Sequence, residues 1–173
     1  MLILTRNRGF IFVAILLMVL LTACIQTEEP DVVPEIVFVE ASAVYCTDAL
    51  GNENKCVELS FDLFDGDGNV GLSESDTLPP FVDEFRHNFY FDVFEFQNGH
   101  FIPWPQQAVN YFNIPYLVPQ GQNKSLIARV TIDIQFSPSQ LPSDTIYIRF
   151  FVYDRTFNQS NTDSTHVLDF PYE

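Results

Sequence analysis

Residues 125–136 alternate strictly between two faces. Leu126, Ala128, Val130, Ile132, Ile134 and Phe136 share one, and Arg129, Thr131, Asp133 and Gln135 share the other. A strand turns successive side chains to opposite sides, so this pattern buries one face of a sheet and leaves the other wet. The same period runs through Val57, Leu59, Phe61 and Leu63, with Glu58, Ser60 and Asp62 opposite. Further runs rich in Val, Ile, Phe and Tyr span 35–45, 85–96, 144–153 and 165–170. No window shows a helical stripe, and eleven Pro residues punctuate the runs. Six or seven such strands in one body predict an all-β antiparallel sandwich. Eighteen Phe residues supply its core, because each ring buries a large apolar area. Residues 101–122, broken by Pro103, Pro105, Pro115, Pro119 and Gly121, read as a long connection with one short strand near 109–114.

The N-terminus predicts an address. Arg6 and Arg8 precede an uncharged run from Phe10 to Leu21. That run has the build of a signal-peptide core and is short for a membrane span. Leu21-Thr22-Ala23-Cys24 closes it and resembles the lipobox of bacterial lipoproteins. The resemblance implies cleavage before Cys24 and a covalent lipid on its thiol, with several acyl chains giving stable anchoring. The division is then a signal peptide over 1–23, a lipidated tether over 24–34 and a β-sandwich domain over 35–173. Residue 25 is Ile rather than Asp, which favours the outer membrane by analogy with enteric lipoproteins. Glu28, Glu29 and Asp31 resemble acidic signals for export to the cell surface, and a solvated tether would also be acidic.

Charge limits the partners. The leader takes two of the eight basic residues and none of the 23 acidic ones, so the mature chain carries −17. Nucleic acid and anionic membrane surfaces are poor partners for such a chain, and cations are plausible ones. Acidity also serves solubility alone. Three Cys are present. With Cys24 assigned to lipid, Cys46 and Cys56 flank a turn-rich segment between two strand-like runs, in a compartment that permits disulfides. They are expected to pair and clip the loop between adjacent strands. Free thiols are the alternative.

The strongest internal motif is Asp65-Gly66-Asp67-Gly68-Asn69-Val70-Gly71. Oxygen side chains at alternate positions on a Gly-permitted turn can converge on a hard cation such as calcium. Asp65, Asp67, Asn69, Ser73 and Asp76 imitate EF-hand positions 1, 3, 5, 9 and 12. The match fails at Val70 and at Asp76, and no helices flank it. A second motif, Asp154 to Asn161, resembles the turn before the last strand of many bacterial immunoglobulin-like domains. Together with the lipobox and the acidic turn, it resembles a family of uncharacterised Bacteroidota lipoproteins. The resemblance implies an immunoglobulin-like antiparallel β-sandwich of about seven strands and no established activity. In sandwich order, the loop 65–76 and the turn 154–161 lie at one end, where Asp154 or Asn158 could complete a calcium shell begun by Asp65, Asp67 and Asn69. The hairpin 46–56 falls at the other end. Plain turns, with Gly at positive φ and Asp or Asn bonding the backbone, explain the same residues.

No catalytic set emerges. His87, His100 and His166 lack metal-ligand spacing, and no nucleophile elbow is present. A small extracytoplasmic hydrolase therefore ranks below a non-catalytic binding or assembly protein with a protein or glycan partner. Carbohydrate capture would use the only Trp, Trp104, in the Pro-rigid segment 101–105, with Tyr111 and Tyr116 nearby. Exposure of all three on one face would favour binding, and burial would favour a structural role.

Overall fold

The structure, a computed structural model, describes residues 31–104, 110–116 and 124–171. Cys24, the expected leader and most of the expected tether lie outside the described residues. So does part of the 101–122 connection.

The chain forms nine strands among the described residues: β1 (Glu35–Thr47), β2 (Glu53–Asp65), β3 (Phe89–Gln97), β4 (His100–Pro103), β5 (Tyr111–Phe112), β6 (Leu126–Phe136), β7 (Thr145–Val152), β8 (Asp163–Ser164) and β9 (Leu168–Asp169). One sheet has the order β1-β2-β6. The other has the order β4-β3-β7-β8, with β5 also on β3 and β9 also on β7. All pairings between these strands are antiparallel. The chain changes sheet after β2, before β6 and after β6, which is the crossover pattern of an immunoglobulin-like sandwich.

The alternation seen in the sequence sets the core. Val57, Leu59, Phe61 and Leu63 of β2 face Phe89, Phe91 and Val93 of β3 and Ile146, Ile148, Phe150 and Val152 of β7 in one buried cluster. Phe61 lies 5.3 Å from Phe150 and 5.7 Å from Phe89, ring centre to ring centre. Each such buried Phe contributes about 2–3 kcal/mol. On β6, Ile134 and Phe136 are buried, while Leu126, Val130 and Ile132 are half-buried, because β6 is the outermost strand of its sheet.

Two expected elements differ. Residues 100–103 form β4 rather than connection. Asn98 and Gly99 both take positive φ (52° and 86°), the geometry of a two-residue hairpin turn that Asn-Gly favours. The expected last strand, 165–170, shrinks to β9, and the short β8 lies just before it. Between them, Thr165 accepts the Ile148 N–H through Oγ1 and donates its own N–H to the Ile148 carbonyl.

Side chains fasten the edges. Asn161 bonds both the N–H and the carbonyl of Ile36, and Asp163 accepts the Phe38 N–H. The outer edge of β1 is thereby tied to the opposite sheet. Cys46 and Cys56 are disulfide-bonded across the β1–β2 hairpin, with Cα atoms 5.9 Å apart. Lys55, next to Cys56, is the first inward residue of β2. It is 3 % exposed and donates to the carbonyls of Leu141 and Ser143, each at 2.9 Å, while pairing with Asp144 at 2.7 Å.

Candidate functional site

Asp65 is the last inward residue of β2, at the end of the sandwich away from the hairpin. It is fully buried. Its Oδ2 accepts the N–H groups of Asn69 (2.7 Å) and Val70 (3.1 Å), which folds the loop back on itself. Asp67 Oδ2 accepts from the Asn69 amide nitrogen at 2.8 Å. Three oxygens remain: Asp65 Oδ1, Asp67 Oδ1 and Asn69 Oδ1 are buried without a hydrogen-bond partner. Buried polar atoms are nearly always paired, so three in one five-residue turn demand a physical reason. Burial pushes the Asp65 carboxyl up to about 6, and the charges of Asp67 and Asp154 add to that push against the two N–H bonds.

The turn 154–161 does meet this loop. Val70 and Asp154 form a backbone bridge, and Arg155 N–H donates to the Asn69 carbonyl. Asp154 is spent on its own turn. Oδ1 accepts the N–H groups of Thr156 and Asn158, and Oδ2 accepts the Thr156 hydroxyl and the Asn158 amide. Asn158 donates to Asp154 and to Thr156. These two residues fit turn chemistry rather than an open ligand pair. Their bonds hold Phe157 at φ 69°, an unusual conformation for a bulky side chain.

Asp76 does not join the series. Arg155 grips it through both carboxylate oxygens, at 2.5 and 3.0 Å, and Ser73 adds its N–H and hydroxyl. The Arg155 guanidinium holds its carboxyl well below the usual carboxylate range. The EF-hand-like spacing therefore breaks after Asn69, because a cation from the neighbouring turn already neutralises Asp76. Gly71 permits this compact arrangement: its φ is +116°, and a Cβ there would lie 2.5 Å from the Cα of Tyr116. Among the described residues, no three His, Cys, Asp or Glu side chains gather as a metal group. The unpartnered set is two carboxylates and an amide.

The three aromatic candidates separate. Trp104 is 8 % exposed, donates its indole N–H to the Gln140 carbonyl and packs edge-on against Phe136. It caps the core. Tyr116 lies under the Arg155 guanidinium at 4.9 Å. Tyr111 is exposed and stacks on His87 with centroids 3.7 Å apart. His87, Tyr90 and Tyr111 line a cleft of about 370 Å³ with Asp83 and Arg86. Apart from Tyr111, and His87 as a rejected metal ligand, sequence reasoning did not single out these residues. Arg155, which decides the fate of Asp76, was passed over as well. The available signal was scarcity, since only six of the eight basic residues lie after residue 23.

No protein-family model, curated protein or solved structure matches this chain.

Proposed function

We propose that this chain is a lipid-anchored, non-catalytic β-sandwich at the outer membrane, displayed outward to bind or assemble with a protein or glycan partner, and that calcium orders its acidic end. The anchor reading is supported by Leu21-Thr22-Ala23-Cys24, and the outward reading by the acidic residues that follow Cys24.

The observation that carries the calcium reading is the set of unpartnered buried oxygens on Asp65, Asp67 and Asn69. They sit at alternate positions of one turn, and Ca²⁺ accepts such oxygens in a flexible shell of about 6–8 ligands. Backbone carbonyls and water would supply the rest. A bound Ca²⁺ would offset the mutual repulsion of Asp65, Asp67 and Asp154. Asp154 and Asn158 would act by shaping the adjoining turn.

Calcium titration of the full-length chain, followed by thermal melting, tests this. A cation that binds only the native state stabilises it by about 2.7 kcal/mol at a hundred times its Kd. The melting temperature should climb with Ca²⁺, and Asp67→Ala should remove the climb. A melt unchanged by millimolar Ca²⁺ would reduce Asp65, Asp67 and Asn69 to a turn.

A further inference from the structure

We propose that the cleft lined by Asp83, Arg86, His87, Tyr90 and Tyr111 binds a neutral pyranose unit of a glycan. The cleft lies at the β3–β5 edge of the second sheet. Tyr90 and Tyr111 are register partners across β3 and β5, so they stand side by side on the outer face. Tyr111 is held by its stack on His87, and Tyr90 by its stack on Phe151 at 5.6 Å. Rings fixed in this way offer contact area to the C–H face of a sugar at low entropy cost. The volume of about 370 Å³ is at the small end for ligand sites and suits one or two sugar rings.

The polar groups define the ligand further. An ionised Asp83 only accepts hydrogen bonds and Arg86 only donates them. A pair of neighbouring hydroxyls does both and satisfies both. Among the described arginines, Arg129, Arg149 and Arg155 are ion-paired with Asp62, Asp92 and Asp76, and Arg86 is in no such pair. Arg86 would repel a cationic guest, and Asp83 together with the acidic chain disfavours an anionic one. Burial lowers the His87 imidazole, the bond with Asn113 opposes this and the Arg86 charge adds to the lowering, so His87 favours its neutral form between the two charged residues. Asp83 also holds φ 53°, a left-handed conformation kept at the rim of the cleft. The short turn that follows is pinned by Phe85 against Phe157, with centroids 4.2 Å apart.

This inference rests on the reading of the chain as a non-catalytic binding protein, and it does not require calcium. The test is calorimetric titration of the full-length chain, in a detergent without a sugar headgroup. The probes are the hexasaccharides of β-1,4-glucose, α-1,4-glucose, β-1,4-mannose and β-1,4-xylose, with hexagalacturonate as the anionic control. At least one neutral probe should bind, and Tyr111→Ala and Arg86→Ala should each weaken it by about tenfold or more. Arg86 is exposed, so its variant should melt as the wild type does; if Tyr111→Ala melts lower, Arg86→Ala and Asp83→Asn decide. The proposal falls if no neutral hexasaccharide binds, if the folded variants bind as well as wild type, or if hexagalacturonate binds best. If the bound sugar is recovered shortened, the cleft stands and the non-catalytic reading falls.

Discussion

Replacing Lys55 with Met keeps most of the packed stem and removes the ammonium. The ammonium fastens the 141–144 connection to β2 through two carbonyls at 2.9 Å and the Asp144 carboxylate at 2.7 Å, and lies 5.4 Å from the Phe170 ring centre. Breaking a buried ion pair by removing one partner costs about 3–5 kcal/mol. The Asp144 side chain is 31 % exposed and also accepts the Tyr45 hydroxyl, so water and Tyr45 recover part of the loss. The expected cost is therefore at the low end, about 3 kcal/mol, or roughly 10 °C in Tm for a domain of this size. Trp104 reports it well. It is the only Trp and bonds the Gln140 carbonyl beside that connection, so its fluorescence follows urea unfolding where the lesion lies. Asp144→Asn in the Lys55→Met background should cost little more, which gives a coupling of about 1–3 kcal/mol. A Lys55→Met variant within about 0.5 kcal/mol of wild type would refute the claim that this buried cation holds the two sheets' connection in place.

The same pair predicts a pH dependence. Hydrogen bonding and the charge of Lys55, with the Tyr45 hydroxyl, lower the Asp144 carboxyl against a weaker desolvation effect. A lowered carboxyl contributes stability that is present above its unfolded pKa and lost as pH falls through its folded pKa. The stability gap between wild type and Lys55→Met should thus hold above about pH 5 and narrow as pH falls below the ordinary aspartate range, as read from urea midpoints, and a constant gap would remove Asp144 from the account. Replacing both Cys46 and Cys56 with Ala should cost about 2–3 kcal/mol with the fold retained, and dithiothreitol on the wild type should reproduce the shift. The hairpin keeps its turn without the bridge, because Asp48 Oδ1 accepts the N–H groups of Leu50 and Asn52; loss of folding in the double variant would contradict this.

The sequence alone determined the layers. Alternation along β2 and β6 named the inward faces, since a two-residue period leaves one way to bury Val57, Leu59, Phe61 and Leu63 together. It also put the acidic loop and the late turn at one end, because strand order in a sandwich dictates which loops meet. It placed Asp65, Asp67 and Asn69 at alternate positions of one turn, a spacing that is purely local. Two local signals were readable but unread. Asn98-Gly99 marks the β3–β4 hairpin. Lys55 falls in step with Val57 and Leu59 and so faces inward. The tertiary structure decided what depends on partners far along the chain. Arg155, 79 residues after Asp76, removes that carboxylate from any cation shell. Gln140, 36 residues after Trp104, takes the indole N–H and fixes the ring in the core. Tyr111 joins Tyr90 and His87 only because β5 pairs with β3. Spacing encodes neighbours within a turn or a strand. Which distant charge neutralises a carboxylate, or which carbonyl receives an indole, is settled only when the two sheets close and each buried polar group must find its partner.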